Sequence, residues 1–461
     1  MPRIVGVYMC LALLQNIPCS SSAPPPGILG DYNAEIREAA PRADGKIHVN
    51  SPLMIERLNT LHVNTYFFLI WHSPSDWDDL RNEFLPASAR AGIGVWAYLV
   101  PPKECKPACS LPFGNDYVRW AAELARMSLD HPNLKGMVID DFDYNAGSFP
   151  PAYAIRIRNA AKAVNPKFLF YPLLYWTAIQ SPSFLASYSE ALDGFIFAYR
   201  DDPQANTLFT ESLPGQLATT EAKAAAHGKP FLLMAYAAPM SGDPPPSAEY
   251  VRTVVDAGLT AMRQGRAAGV ITYSLDKHEQ PRAESASYAH HGSGYGVIFV
   301  HGQTAPGAHG DLSCRITIDP QASSYVLTFW HRGTSLGVRR RGVLFKQVLV
   351  DKTTVWEEDA ADEANAWKSE TVDLAGAVNH KDTATLRFSL TNRIGGDVRL
   401  TAEFDDLGFQ GVAAADPDFE NPRAWATDQT NLAFRELVEI SGPDRLKRAF
   451  GAVSGMFGQS K

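Results

Sequence analysis

Short apolar runs alternate with amphipathic helical patterns from about residue 45 to residue 283. Seven runs are apolar on both faces, which is typical of parallel strands covered by helices. In chain order they occupy residues 65–71, 94–100, 136–140, 168–172, 194–199, 231–236 and 269–274. An eighth strand is expected between residues 28 and 49, where the pattern is poor. This rhythm over about 250 residues predicts a (β/α)8, TIM-like barrel, with an open doubly wound sheet as the alternative.

Helical patterns separate these runs, at residues 77–91, 116–131, 153–164, 181–190, 213–227 and 247–267. In the second of them the apolar residues recur on one stripe of a helix. No G-x-G-x-x-G motif opens any of these helices. A dinucleotide site of the Rossmann type therefore has no support.

The pattern changes after residue 285, so we expect a multidomain chain, α/β followed by all-β. Short runs with turn residues between them predict an antiparallel β-sandwich of the jelly-roll type. We divide the chain into a barrel at 24–284, a sandwich at 285–411 and a partly helical tail at 412–461. Within the tail, residues 434–456 are expected to form an amphipathic helix that Gly442-Pro443 would interrupt.

Residues 1–23 have the pattern of a signal peptide: a basic start, a short apolar core at 4–14 and small residues at the exit. The apolar core is too short to span a bilayer, and no later stretch is long and apolar enough to do so. We therefore expect a secreted or extracytoplasmic protein with no integral membrane segment after leader removal. The formal net charge of −8 argues against nucleic acid as a partner.

Two cysteines, Cys105 and Cys109, lie four residues apart in a proline-rich loop. Such a pair is either half of a zinc site or a disulfide. No second pair of cysteines or histidines completes a zinc site, and the protein is expected to be exported. A disulfide is therefore the better interpretation.

Acidic residues follow the predicted strand at 136–140, and in a barrel of this kind the active site lies at the C-terminal ends of the strands. In extended backbone Asp141 and Asp143 would share one face, and Asp140 the other. Crowding of carboxylates raises the pKa of one of them, as a general acid requires. Glycoside hydrolysis needs a second carboxylate, and Asp201 and Glu279 follow later strands at the same rim. The catalytic candidates are therefore Asp141, Asp143, Asp201 and Glu279.

Aromatic residues lie in or just after the predicted strands, where their rings can stack on sugars and tyrosine hydroxyls can bond sugar oxygens. Packing in the barrel core is the alternative role for about half of them. The substrate-binding candidates, with one aspartate and one histidine, are Trp71, His72, Tyr98, Asp140, Tyr175, Trp176, Tyr199, Tyr236 and Tyr273.

The order of barrel and sandwich, with an acidic motif after what would be strand four, resembles the TIM-barrel glycoside hydrolases that carry an accessory β-sandwich. Residues 136–145 are similar to the acidic strand of the chitinase-like barrels, although Asn145 stands where their catalytic glutamate lies. The pair Asp141 and Asp201 resembles the α-galactosidase type of barrel, which implies a nucleophile at Asp141 and an acid/base at Asp201. Residues 348–357 resemble an accessory carbohydrate-binding jelly roll, with a purely structural role as the alternative.

The sequence thus predicts a secreted glycoside hydrolase that acts on a polysaccharide or glycan through two carboxylates and needs no cofactor. A non-catalytic carbohydrate-binding protein on a barrel scaffold is one alternative. The other is a metal-assisted hydrolase in which Asp140, Asp141 and Asp143 hold a divalent ion with His72 or His278. The sugar, the linkage, the stereochemistry and the oligomeric state stay open.

Overall fold

A computed structural model of the chain describes residues 27–105, 109–202, 205–238, 246–278, 289–334, 340–362, 366–431, 433–440 and 442–460. The expected leader at 1–23 and the catalytic candidate Glu279 lie outside the described residues.

In the described residues, eight parallel strands close into a barrel in the order β1 to β8. Their bounds are β1 (Ile28–Tyr32), β2 (Thr65–Leu69), β3 (Gly94–Leu99), β4 (Leu134–Ile139), β5 (Leu169–Leu174), β6 (Phe195–Ala198), β7 (Phe231–Tyr236) and β8 (Gly269–Tyr273). Because β1 pairs with both β2 and β8, the predicted barrel is confirmed and the open sheet is excluded.

The strand that the sequence pattern showed poorly is β1. Its five residues include Asp31, which is fully buried and interrupts the apolar run. The carboxylate Oδ2 of Asp31 lies 2.5 Å from Nζ of the equally buried Lys277, and Thr272 Oγ1 donates to Asp31 Oδ1 at 2.6 Å. A buried ion pair thus links β1 to the segment after β8, at the place where these two strands close the barrel. Burial of either charge without its partner would be costly.

Helices surround the barrel, with the bounds α1 (Ser51–Thr60), α2 (Asp76–Asp79), α3 (Leu85–Arg90), α4 (Tyr117–Asp130), α5 (Pro151–Val164), α6 (Trp176–Gln180), α7 (Phe184–Tyr188), α8 (Leu213–Ala226) and α9 (Ala248–Arg263). The helix expected at 77–91 contains a π-helical turn, Leu80–Phe84, between α2 and α3, beside Pro86. The helix expected at 181–190 is shortened to α7, which begins after Pro182, and α6 before it was not expected. Proline has no N–H for the intrahelical bond, which accounts for both departures.

Bulky aromatic side chains fill the barrel interior. Trp96 lies 5.8 Å from Phe67 and 4.8 Å from Tyr171, measured between ring centroids. A Cβ atom at Gly136 would lie 2.5 Å from the Trp96 ring, so glycine there makes room for the indole. Since Trp96 precedes Tyr98 by two residues on β3, the two side chains share the inward face. The barrel is therefore closed beneath the level of Tyr98.

In the described part of the chain, eleven strands follow the barrel, and one short helix, α10 (Ala375–Val378), lies among them. Their bounds are β9 (Gly294–Thr304), β10 (Ala308–Ile318), β11 (Val326–Thr334), β12 (Leu344–Val350), β13 (Thr353–Asp359), β14 (Lys368–Asp373), β15 (Thr383–Asn392), β16 (Gly396–Gln410), β17 (Val412–Ala414), β18 (Ala426–Gln429) and β19 (Phe434–Ile440).

These strands form two antiparallel sheets. One has the order β13-β12-β15-β10-β17, with β18 also paired to β10, and the other has the order β14-β11-β16-β9-β19. Phe388 of the first sheet lies 5.5 Å from Phe329 and 4.7 Å from Phe404 of the second, between ring centroids. The sheets thus share one core, as a sandwich requires. Strands continue past residue 411, because β17, β18 and β19 all pair with sandwich strands.

The segment expected to be one interrupted helix contains β19 and then a helix, α11 (Gly442–Gly458). Pro443 lies in the first turn of α11, where its missing N–H costs nothing, so it does not interrupt the helix. Over seven residues an apolar pattern fits a strand as well as a helix, and pairing with β9 decides the outcome.

Helix α11 returns to the barrel. Its buried residues Ala449, Val453 and Phe457 belong to the barrel core, and the helix packs against α9. On its other flank Ser454 Oγ donates to the carbonyl oxygen of Thr60, at the end of α1, at 2.8 Å. Helix α11 therefore lies between α9 and α1, in the place of the helix that would follow β8. The sandwich is inserted between β8 and this closing helix.

Among the helices of the described residues, none combines the length and the apolar character needed to cross a bilayer.

Candidate active site

A cavity of about 310 Å³ opens at the C-terminal ends of the barrel strands. Its walls are carboxylates, aromatic rings and a few apolar side chains. The lining residues are Tyr32, Asn33, Leu69, Trp71, Val100, Glu104, Asp140, Asp141, Tyr175, Met234, Tyr236 and Tyr273. Five of the predicted substrate-binding residues and one predicted catalytic residue are therefore brought together at the expected end of the barrel.

Asp140 directly follows β4 and is held by two tyrosine hydroxyls. Tyr32 Oη donates to its Oδ2 at 3.2 Å and Tyr98 Oη donates to its Oδ1 at 3.0 Å. The backbone N–H of Asp141 donates to the same Oδ1 at 3.1 Å. Burial raises the pKa of Asp140 to about 7, the charge of Asp141 adds to this effect, and the tyrosine hydrogen bonds oppose it. Asp140 is thus fixed in position close to its protonation midpoint at neutral pH.

Asp141 ends the extended backbone with a φ of +43°, in the left-handed region that is uncommon for residues other than glycine. Tyr175 Oη donates to its Oδ1 at 2.5 Å. A non-glycine residue held in this conformation costs free energy, and such residues cluster at functional sites. The turn aims the Asp141 carboxylate into the cavity.

The turn at Asp141 directs Asp143, another catalytic candidate, away from the cavity. The expectation that Asp141 and Asp143 share a face was wrong, because the chain leaves extended geometry at Asp141 and Asp143 begins a 3₁₀ turn, Asp143–Asn145. Its carboxylate accepts a 3.4 Å hydrogen bond from Thr177 Oγ1 and does not line the cavity. Burial raises the pKa of Asp143 to about 6.

Glu104 is the acidic residue that the sequence-based assignment of the site missed. It ends a 3₁₀ turn, Pro102–Glu104, after β3, and its side chain lines the same cavity as those of Asp140 and Asp141. Burial, followed by the charges of Asp140 and Asp141, raises the pKa of Glu104 to about 8. The available signal was its place after a barrel strand, but the proline-rich loop around it indicated only a disulfide.

The predicted disulfide between Cys105 and Cys109 is confirmed. Cys105 directly follows Glu104, and both lie half-buried beside the cavity. The covalent link therefore restrains the loop that presents Glu104.

Replacing Cys105 and Cys109 together by serine is expected to lower activity more clearly than stability. Closing so short a loop contributes about 2 kcal/mol to the free energy of unfolding in the chain-entropy model. A misplaced Glu104 would lower kcat by about 10–100-fold. Comparing kcat with the melting temperature checks this, and Cys314→Ala, at a buried free cysteine of β10, is the control. An unchanged kcat in the double variant would show that the disulfide does not position Glu104.

Tyrosine rings form one wall of the cavity. The rings of Tyr32 and Tyr98 stack at 3.8 Å between centroids, and Tyr273 lies 5.4 Å from Tyr32 and 5.1 Å from Tyr236. Tyr236 Oη is 3.5 Å from Tyr175 Oη. Burial raises the pKa of Tyr273 to about 12, so this tyrosine stays neutral and can donate a hydrogen bond. Tyr32 was missed because the pattern of β1 was poor.

The second predicted acid, Asp201, is not in the cavity. It is fully buried, and its Oδ1 accepts hydrogen bonds of 2.8 Å from Tyr199 Oη, from Ser212 Oγ and from the backbone N–H of Ser212. These bonds fix the loop after β6. The resemblance to α-galactosidases implied that Asp201 and Asp141 lie together in the site. The structure does not bring them together.

Four further predicted residues lie outside the lining, and one of them is Tyr98, which is fully buried and stacks on Tyr32. Tyr199 is fully buried and stacks on Tyr250 at 5.9 Å, and Trp176 packs against the barrel core. His72 is 39% exposed, with Nδ1 3.7 Å from Oε2 of the buried Glu35. The rule that active-site residues lie at the C-terminal ends of barrel strands predicts that each of these residues is near the end of a strand. It does not predict the direction of the side chain.

Arg200 and Tyr144 flank Tyr175 at the rim. The ring of Tyr144 stacks on that of Tyr175 at 4.5 Å, and the Arg200 guanidinium lies 4.9 Å from the Tyr175 centroid. Arg200 Nη2 also donates to Tyr144 Oη at 2.9 Å. This cluster supports Tyr175, whose hydroxyl contacts Asp141.

In the described residues, the groups that lie close enough to share a metal ion are His48, Asp79 and Glu83, away from the cavity. His48 Nδ1 is already 2.5 Å from Asp79 Oδ1. The alternative of an ion held by Asp140, Asp141 and Asp143 does not fit the geometry, because Asp143 turns away from the other two. His278, which was also considered as a ligand of that ion, contacts Asp276 through Nδ1 at 2.8 Å.

No protein-family model and no curated protein sequence matches the chain. Solved structures similar to it include a glucosidase from Croceicoccus marinus, at 8% identity over 84% of this chain and 96% of that chain, with a TM-score of 0.39. A β-glucuronidase from Bacteroides uniformis matches at 9% identity over 82% and 65%, with a TM-score of 0.43. A GH99 endo-α-mannosidase from Bacteroides thetaiotaomicron matches at 17% identity over 48% and 67%, with a TM-score of 0.33. The barrel and the sandwich of this chain are established by its own strand pairing.

Proposed function

We propose that the protein is a glycoside hydrolase whose reacting groups are Glu104 and Asp141, assisted by Asp140. The observation that carries the proposal is that the carboxyl groups of Glu104 and Asp141 line one cavity at the barrel rim, together with that of Asp140. Neighbouring carboxyl groups favour a state in which one of them keeps its proton, because two nearby negative charges repel each other, and the charge of Asp141 is one cause of the raised pKa of Glu104. One therefore serves as an acid while the other serves as a carboxylate, the combination that glycoside hydrolysis requires.

Glu104 is the acid in this assignment. With a pKa of about 8 it keeps its proton at neutral pH and can give it to the glycosidic oxygen as the bond from that oxygen to the anomeric carbon breaks. Asp141, which accepts a hydrogen bond from Tyr175, takes the proton of the attacking water, whose oxygen bonds to the anomeric carbon. The negative charge of Asp141 stabilises the positive charge that develops on the sugar ring, and Asp140 beside it gains charge most easily when that positive charge is present.

The distance between the two carboxyl groups decides the stereochemical outcome of the reaction. Retaining enzymes hold theirs about 5–5.5 Å apart and inverting enzymes about 6.5–9.5 Å apart. A water molecule that attacks directly, as in this assignment, is the inverting route.

Activity is expected to fall as the pH rises through about 8, where Glu104 loses its proton. The sign follows from the raised pKa: the protonated acid persists well above the ordinary range of glutamate and is lost only on the alkaline side. A profile of kcat/KM from pH 5 to 10 on a glycan from a polysaccharide panel tests this. Glu104→Gln should show little activity throughout. An alkaline limb that persists in residual Glu104→Gln activity would assign the titration to another group.

Turnover of a panel of polysaccharides and oligosaccharides tests the function itself. Hydrolysis that needs both Glu104 and Asp141 supports it. Carbohydrate binding without turnover would favour the non-catalytic alternative, and loss of turnover with a chelator would favour the metal-assisted one. The expected leader, together with the Cys105–Cys109 disulfide, supports export of the enzyme, since disulfides persist in oxidising compartments.

A further inference from the structure

We infer that the cavity recognises a glycan unit that carries a positively charged amine, such as a 2-amino-2-deoxyhexose that is not N-acetylated. This inference rests on the proposed function and names its substrate class. It is carried by the charge of the cavity and by the aromatic character of its walls.

Three carboxyl groups, those of Glu104, Asp140 and Asp141, line the same cavity. Among the described residues that line it, there is no lysine, arginine or histidine. Burial, followed by repulsion from neighbouring carboxylates, raises the pKa of both Glu104 and Asp140, so a second negative charge is unfavourable there. An ammonium group in the cavity would offset this repulsion with a charge-assisted hydrogen bond, whereas a uronic acid would add to it.

The walls supply a second means of binding a cation. Trp71 and the rings of Tyr32, Tyr236 and Tyr273 all line the cavity. The faces of tryptophan and tyrosine attract ammonium groups within about 6 Å, and the attraction strengthens when water is excluded. Acidic groups surrounded by aromatic rings form an environment in which a cation is more stable than a neutral or anionic group of the same size.

Three cationic side chains close to lining residues, those of Arg200, Lys103 and Lys277, are bonded to other groups. Arg200 lies against the Tyr175 ring and donates to Tyr144 Oη, and Lys103 Nζ donates to the carbonyl oxygen of Tyr144 at 2.6 Å. Lys277 is fully buried in its ion pair with Asp31. None of these three groups lines the cavity. They therefore leave the carboxyl groups as the charges that a ligand meets.

Calorimetric binding of monosaccharides to the full chain tests the inference without knowledge of the linkage. The probes are glucosamine and galactosamine, their N-acetylated forms, and galacturonic acid, at pH 6. We expect each amine to bind at least about tenfold more tightly than its N-acetylated form, with a preference that weakens as salt is added. Equal binding of the two forms, or a preference for galacturonic acid, would overturn the inference.

Substitutions locate the preference. Asp140→Asn is expected to reduce the ratio of amine to N-acetyl affinity by about tenfold, and Glu104→Gln is the second variant should Asp140→Asn not fold. The matched control is Asp202→Asn, at an exposed aspartate on the loop after β6. Amine preference without turnover of any amine-bearing glycan would contradict the proposed hydrolase and leave cation recognition standing. Turnover of a glycan without amine preference would support the proposed hydrolase and contradict cation recognition.

Discussion

Replacing Asp141 by asparagine is expected to lower kcat/KM for the cleaved glycan by about 10³–10⁴-fold, with little change in stability. The side chain keeps its shape and loses the charge that accepts a proton and stabilises the developing positive charge. Asparagine also tolerates the left-handed backbone conformation found at Asp141, where φ is +43°. The turn should therefore survive the substitution, and a loss of activity would report chemistry rather than misfolding.

The comparison that sharpens this result is between Asp141 and Asp201. Asp201→Asn alters a buried carboxylate that bonds Ser212 and Tyr199, so it should lower the melting temperature more than it lowers kcat. Asp202→Asn, exposed on the same loop, should change neither quantity. Activity retained in Asp141→Asn would contradict both pairs that contain Asp141. Loss of activity in Asp141→Asn and Asp201→Asn, with activity retained in Glu104→Gln, would favour the α-galactosidase-like pair instead.

Replacing Phe457 by alanine is expected to lower the free energy of unfolding of the barrel by about 3–5 kcal/mol. Phe457 is fully buried and is part of the barrel core, although it lies on α11, beyond the whole sandwich. The substitution leaves a cavity between α11 and the barrel. Urea unfolding followed by tryptophan fluorescence and by circular dichroism measures the effect, since a chain with two cores need not unfold in one step.

Arg448→Ala is the matched control, because Arg448 is exposed on the same helix. Its effect should stay within about 0.5 kcal/mol. A Phe457→Ala variant as stable as Arg448→Ala would mean that α11 does not close the helix layer of the barrel.

Strands β2 to β8 could be predicted from sequence because burial on both faces leaves uninterrupted apolar runs. Strand β1 could not, since Asp31 breaks its run and is compensated by Lys277 and Thr272, about 240 residues away in the chain. The place of α11 was also beyond local pattern. An amphipathic stripe shows that a helix has a partner, but it does not say which surface of the molecule that partner is.

The candidate site divides in the same way. The position directly after an apolar strand was enough to identify Asp140 and Asp141 as candidates. It could not show that Asp141 faces the cavity and Asp143 does not, since a run of aspartates does not reveal the left-handed turn at Asp141. It also favoured Asp201, whose carboxylate is turned into the loop after β6. Glu104 required knowledge of how the loop after β3 folds back toward Asp141, which depends on tertiary contacts.

The insertion of the sandwich also bears on how the molecule forms. Ser454 on α11 bonds the carbonyl group of Thr60 across 394 positions of the chain, and contacts of such long sequence separation slow folding. The strands from β9 to β19 pair with one another, so this unit can assemble as soon as it leaves the ribosome. Until α11 follows, the flank between α9 and α1 stays open. A nascent chain at that stage presents an apolar surface for chaperones and proteases to recognise.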